Sequence, residues 1–207
     1  MSKDSFKVVL IGGPSVGKSA IFRRYMQGDF KDAAEVTMSA SYMEKSVNVA
    51  GQGKPIKIQL WDTAGHDRFK SINRIYYRDA AAALIVYDVT RRESLYQDAE
   101  HWIKDVKENA PSHIILALAG NKSDMYQNQE VSMSEGQKYQ TNSGIPIYNE
   151  CSAKQNQGIN EIFQKIAQEL FNKKSIIQES KKFRGESINL GTGGKRNVGL
   201  KKKKCSC

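Results

Sequence analysis

The chain has 207 residues, 39% of them apolar, and carries 32 Lys/Arg against 22 Asp/Glu for a formal net charge of +10. Three cysteines, one interior and two at the extreme end, give neither a disulfide framework nor metal-ligand spacing. No run approaches the roughly 18 apolar residues that cross a bilayer, and no signal-peptide core follows Met1-Ser2-Lys3-Asp4, so the protein is expected to start in the cytosol. The charge sits at one end: residues 173–207 hold 11 Lys/Arg and 2 Asp/Glu, which leaves 21 against 20 in residues 1–172. One nearly neutral core domain with a basic appendage is the expected plan, and such a block serves either nucleic acid or an anionic membrane.

Phe6 to Ile11 is a short β-branched apolar run of the buried-strand type, and Ala20 to Met26 reads as a helix. Between them Gly12-Gly13-Pro14-Ser15-Val16-Gly17-Lys18-Ser19 fits G-x-x-x-x-G-K-[ST]. In that loop backbone N–H groups cradle phosphates, the lysine reaches the outer phosphates and the hydroxyl holds Mg²⁺. Strand, glycine loop and helix come in the required order, which places the loop's amides at a helix N-terminus, where an anion is favoured. Residues 27–39 lack periodicity and read as a long exposed loop, of the length that is usually functional. Tyr42 to Val49 and Pro55 to Trp61 read as strands whose five-residue connection requires an antiparallel pair. The second ends at Asp62, a carboxylate placed for a water-mediated Mg²⁺ contact; the competing reading is a turn cap.

Arg68 to Tyr77 is polar and aromatic and is expected to be a mobile helix. Ala80 to Val89 is the next central strand, and Asp98 to Asn109 an amphipathic helix that packs Ala99, Trp102, Ile103 and Val106 and stops before Pro111. Ile114 to Ala119 is an apolar strand that delivers Gly120-Asn121-Lys122-Ser123-Asp124. A carboxylate there can accept from guanine N1–H and the 2-amino group, which adenine cannot offer, so buried acceptors would go unpaired with the wrong base. Ser132 to Ser143 is a helix opened by a capping box with Glu135. Ile145 to Cys151 is the last strand, followed by Ser152-Ala153-Lys154. Gly158 starts a final helix with Ile159, Ile162, Phe163, Ile166 and Leu170 on one face. Alternating strands and helices predict an α/β sheet of six mostly parallel strands, one antiparallel, with helices on both faces. Every motif falls just after a strand's carboxyl end, where such sheets bind ligands.

Gly12 to Ser19, Trp61-Asp62-Thr63-Ala64-Gly65, Asn121-Lys122-Ser123-Asp124 and Cys151-Ser152-Ala153-Lys154 stand in the order and spacing of the Ras-like small GTPases. Tyr76-Tyr77-Arg78-Asp79-Ala80 and Val86-Tyr87-Asp88-Val89-Thr90 resemble the Rab family in particular. The resemblance covers roughly residues 5 to 172 and implies a P-loop small GTPase domain over 1–172 that binds GTP and GDP with Mg²⁺. It implies Gly13, Ser15, Val16, Gly17, Lys18, Ser19 and Ala20 around the phosphates, with Lys18 on the β- and γ-phosphates. Phe30 would cover the guanine, and Asn121, Lys122, Asp124, Ser152, Ala153 and Lys154 would grip it. Ser19, Thr37 and Asp62 would serve the metal, Thr37 closing on it and on the γ-phosphate as switch I. Gly65 would donate to the γ-phosphate as switch II, so that Lys18, Thr37, Gly65 and His66 form the catalytic set. Tyr42, Trp61 and Tyr76 match an aromatic triad that reports the switch state to effectors; ordinary packing is their competing reading. Exchange factors, GTPase-activating proteins, a prenyl-binding extractor and membrane effectors are implied partners, and the protein is expected to be a monomer that regulates vesicle-mediated transport.

Three departures stand out. His66-Asp67 replaces the family's Gln-Glu, and an imidazole holds the attacking water in a different geometry, so slow intrinsic hydrolysis is expected. Pro14 lacks the N–H that could donate to phosphate. Met38-Ser39-Ala40-Ser41-Tyr42 is more polar than the Rab family's usual switch I continuation. The competing functional class is a GTP-loaded binding scaffold with negligible hydrolysis; an adenine-specific P-loop enzyme is opposed by Asp124. The tail, 173–207, reads as a flexible basic segment ending in four lysines and Cys205-Ser206-Cys207. A C-a-a-X signal needs its cysteine where Lys204 stands, whereas the ending resembles the Cys-x-Cys signal for double geranylgeranylation in Rab proteins. Two lipid chains plus a polybasic patch meet the two-signal requirement for stable anchoring, which favours the cytoplasmic face of an intracellular membrane, with a cytosolic pool, over nucleic acid.

Overall fold

The computed structural model describes residues 4–32, 37, 40–51, 53–63 and 77–178. Among them six strands form one sheet: β1 (Ser5–Ile11), β2 (Ser41–Val47), β3 (Ile56–Asp62), β4 (Ala82–Asp88), β5 (Ile115–Asn121) and β6 (Ile147–Glu150), in the order β2-β3-β1-β4-β5-β6. Only the β2–β3 pair is antiparallel among them; β1 lies parallel between β3 and β4, and β5 and β6 continue the parallel run. β4 and β5 are buried at every position, as the apolar runs that precede their terminal Asp88 and Asn121 require of strands covered on both faces. Parallel register brings Leu10 opposite Asp62, Asp88 opposite Asn121 and Gly120 opposite Glu150. The carboxyl ends of β1, β3, β5 and β6 therefore open on the same edge.

Two hydrophobic layers flank the sheet. On one side α1 (Lys18–Gln27) and α4 (Ile159–Asn172) bury Ile21, Phe22 and Tyr25 with Ile162, Phe163, Ile166 and Leu170. Tyr25 stacks on Phe163 with ring centroids 3.8 Å apart. On the other, α2 (Glu100–Asn109) packs Trp102, Ile103 and Val106 with Tyr77, Tyr87 and Leu118. The remaining helix, α3 (Met133–Asn142), begins at Ser132 with both limbs of the capping box formed.

The expected helix over Asp98 to Asn109 differs at its start. A π-helical turn, Ser94–Ala99, precedes α2. The fully buried Ser94 bonds the backbone of Asp88 and Arg91 and so fixes where this turn begins, which a 3.6-residue apolar period does not register. β6 is shorter than the apolar run around it because Pro146 offers no N–H and Ile145 N–H is taken by Gln140 O, 3.1 Å away. Past α4, residues 174–178 are again helical, with Ile177 buried in the first core layer and Lys174 paired with Asp4. The helix expected over Arg68 to Tyr77 lies outside the described residues except for Tyr77, which is buried, and residues 179–207 of the tail lie outside them as well.

Candidate nucleotide site

The segment between β1 and α1 is wound so that two glycines are obligatory. Gly12 has φ 147° and a Cβ there would strike the Val86 carbonyl; Gly17, the N-cap of α1, has φ 95° and a Cβ there would strike the Asn121 amide. Lys18, the first residue of α1, folds back so that its ammonium donates to Gly12 O at 3.1 Å and Gly13 O at 2.7 Å. Only 6% of Lys18 is exposed, and burial lowers its pKa to about 8; the carboxylates of Asp62 and Asp98 oppose that shift and the Arg91 guanidinium adds to it. A cation this deeply buried at the N-terminus of α1 is suited to an anion.

Ser19 Oγ and Thr37 Oγ1 lie 2.7 Å apart although 18 residues separate them in sequence. Asp62, at the end of β3, shares this corner: it hydrogen-bonds Ser19, is 2% exposed, and its Oδ1 is buried with no hydrogen-bond partner among the described residues. Burial raises the Asp62 pKa, against the lowering effects of the Ser19 hydrogen bond and the Lys18 charge. Thr63 locks the strand end by donating to Leu10 O at 2.7 Å. Two hydroxyls and an orphaned carboxylate oxygen are hard donors of the kind Mg²⁺ takes, and a carboxylate buried this deeply calls for a cation.

On the far side, Asn121 joins the two halves of the site. Its Nδ2 donates to Val16 O at 2.9 Å in the phosphate loop, and its Oδ1 accepts from Ala153 N at 3.2 Å in the loop after β6. Asp124 Oδ1 accepts from Ser152 Oγ at 2.5 Å, and Lys122, at φ 69°, places its ammonium 2.6 Å from the buried Asp88 carboxylate. Lys154 pairs with Asp32 at 3.4 Å. The structure thus collects Lys18, Ser19, Thr37 and Asp62 at one end and Asn121, Lys122, Asp124, Ser152, Ala153 and Lys154 at the other. Gly13, Ser15, Val16, Gly17 and Ala20 lie on the winding between, and Phe30 is half-buried against the core. Tyr42 and Trp61 stack obliquely at 4.9 Å on the β2–β3 surface. Gly65, His66, Tyr76, Cys205 and Cys207 lie outside the described residues.

Arg24 escapes sequence reasoning. Its guanidinium donates to Ala153 O at 2.8 Å, Gly28 O at 2.7 Å and Lys154 O at 3.1 Å, and stands over the Phe30 ring at 6.0 Å from its centroid. It clasps the loop after β6 to the end of α1. No local pattern signals this, because two of its partners are 129 and 130 residues away.

The Ras family matches this chain by its family model over residues 7–172. The chain is 37% identical over 195 residues to Ras-related protein Rab-17 of Homo sapiens, covering 93% of this chain and 89% of the relative. It is 37% identical over 177 residues to Ras-related protein Rab-21 of Mus musculus, covering 86% and 78%. Against Ras-related protein Rab-5A of Dictyostelium discoideum it is 35% identical over 192 residues, covering 93% and 94%.

Proposed function

The chain belongs to the Ras family, among its Rab-type small GTPases, and from that premise we propose that it is a Mg²⁺-dependent guanine-nucleotide switch of vesicle transport, anchored to membranes through its tail. It is a GTPase. The observation that carries the nucleotide reading is Asn121, which fastens the phosphate loop and the base loop to one side chain. A ligand with a polyphosphate at one end and a purine at the other would span those two loops. The Asp124 carboxylate supplies the acceptors that select guanine.

Ser19, Thr37 and Asp62 would hold the metal, which when bound would neutralise negative charge on the phosphates. Lys18 brings a cation to the outer phosphates, and the amides of the Gly12–Lys18 winding orient them. By family resemblance Gly65 would donate to the γ-phosphate and His66 would orient the attacking water for in-line displacement. Cys205 and Cys207 carry prenyl groups, the adjacent lysines add attraction to anionic lipid, and the lipid-bound form exchanges with a cytosolic pool through a prenyl-binding extractor. Exchange factors and GTPase-activating proteins set the nucleotide state, which Tyr42, Trp61 and Tyr76 report to effectors. No helix among the described residues is long and apolar enough to cross a membrane.

The test is the nucleotide content of the purified chain, followed by competition of GTP, ATP and XTP for a fluorescent GDP. Retained guanine nucleotide, indifference to ATP, and a gain of xanthine binding in Asp124→Asn are expected, because the amide presents a donor to the 2-oxo group of xanthine. Equal competition by ATP and GTP defeats the reading. His66 favours a second reading, a GTP-loaded scaffold with negligible hydrolysis, and single-turnover hydrolysis with and without a cell extract separates the two.

A further inference from the structure

One ion pair outside the residues assigned above lies against the phosphate loop. Arg91 follows β4 on a tightly held turn: its N–H donates to Asp88 O at 3.0 Å, and its carbonyl accepts from Ser94 N at 3.0 Å and Ser94 Oγ at 2.6 Å. Asp88 is itself paired with Lys122 of the base motif. From this turn the Arg91 Nη2 donates to Pro14 O at 3.0 Å and stands 3.4 Å from Asp98 Oδ2. Asp98 comes from the π-helical turn Ser94–Ala99, and its carboxylate lies so close to Gly13 that a Cβ there would collide with it. The turn after β4 and the π-helical turn that follows it thus set two side chains against two consecutive loop residues.

The place where they press has a defined chemistry. Lys18 Nζ rests on Gly12 O and Gly13 O, and the lysine of such a loop reaches the outer phosphates, so Gly13 and Pro14 border the outermost phosphate. Loop residues ordinarily hold their position there by donating an amide to the anion. Pro14 has no amide to donate, and its fixed point is its carbonyl, which Arg91 holds from behind. We propose that Arg91 and Asp98 are positioning residues for the outermost phosphate of a nucleoside triphosphate, Arg91 bracing Pro14 through its carbonyl while Asp98 orients the guanidinium and packs on Gly13. Removing either residue leaves Gly13 and Pro14 to be ordered by the incoming nucleotide, at a cost to its affinity. That cost falls on the triphosphate, because a diphosphate has no group at that end.

The inference rests on the nucleotide-switch reading. Its test is the affinity of Arg91→Ala, Arg91→Lys and Asp98→Asn for GDP and for a non-hydrolysable GTP analogue in Mg²⁺, with single-turnover hydrolysis beside it. Arg91→Ala should lower the ratio of triphosphate to diphosphate affinity by about tenfold and slow hydrolysis at least as much. Arg91→Lys should recover part of both, since an ammonium reaches the carbonyl but cannot serve two partners in a fork, and Asp98→Asn should shift the ratio in the same direction but less. A ratio within about twofold of the unsubstituted chain in Arg91→Ala overturns the proposal. So does an equal weakening of both nucleotides that Arg91→Lys does not relieve, the mark of a purely structural residue. A failure of the unsubstituted chain to bind either nucleotide removes the switch reading, and this inference with it.

Discussion

Removing Arg24 should loosen the grip on the nucleotide without touching the nucleotide itself. The bond from Arg24 Nε to Ala153 O, 2.8 Å long, is half-buried and charge-assisted, and such a bond contributes about 1.5 kcal/mol or more. The bonds to Gly28 O and Lys154 O are exposed and contribute about 0.5 kcal/mol each. If the loop carrying Ser152, Ala153 and Lys154 must lift for the base to leave, truncation removes about 2.5 kcal/mol from the barrier, an acceleration of about 60-fold at 1.4 kcal/mol per tenfold. Arg24→Lys keeps one contact and should fall between. The assay is release of a fluorescent GDP into excess GDP with Mg²⁺ present, beside single-turnover hydrolysis of bound GTP, which should change little because Arg24 is remote from the outer phosphates. A release rate within about twofold of the unsubstituted protein, with a lowered melting temperature, would refute the reasoning and make Arg24 a residue of fold stability alone.

Lys18 predicts a pH dependence of binding. Its pKa of about 8 without an anion means that it is an ammonium below pH 8 and loses its proton above, while bound phosphates restore the charged form. GDP affinity should be flat below pH 8, fall toward pH 9, and be accompanied by proton uptake, measured by calorimetry in buffers of different ionisation enthalpy; constant affinity with no uptake contradicts it. Gly17→Ala should abolish nucleotide binding, because its φ of 95° is strained for alanine and the new methyl strikes the Asn121 amide that ties the two loops. Dialysis with labelled GDP checks this, and binding within tenfold of the original refutes it. His66→Gln should speed single-turnover hydrolysis, since a carboxamide presents a donor and an acceptor on one planar group to the attacking water; equal rates sink the idea. Replacing Cys205 and Cys207 together by serine should leave the protein in the cytosolic fraction after cell fractionation, and retention on membranes counts against lipid anchoring.

The fold was legible wherever one local rule governed an element. β4 and β5 announced themselves as unbroken apolar runs, α4 by five apolar positions on one face, and the start of α3 by Ser132 and Glu135, all of which the structure repeats. The motifs were legible for a related reason: a parallel sheet sends its strand ends to one edge, so chemistry written at several strand ends converges without any long-range information. What the sequence could not disclose are the side chains that join those loops. Arg24 reads as an ordinary charge on a helix, and Arg91 and Asp98 as a solvated turn and a helix start, because their partners are backbone carbonyls and a glycine that carry no residue signature. The π-helical turn adds a second concealment, since an i+5 winding aims Asp98 where a 3.6-residue period would not.

That division bears on how the site departs from its relatives. Residues proposed to touch the nucleotide, Gly17, Lys18, Asn121 and Asp124, would be constrained by its shape and so stand in recognisable motifs. Residues that hold the loops from behind need only meet a carbonyl and are free to vary. Pro14 is a change of the first kind if the loop holds phosphate as proposed, and the structure sets against it a contact of the second kind from Arg91, 77 residues away. The energetic link between them is testable as a cycle. Restoring an amide with Pro14→Gly should lessen the effect of Arg91→Ala on triphosphate affinity if the brace stands in for that amide, and the two effects should simply add if it does not.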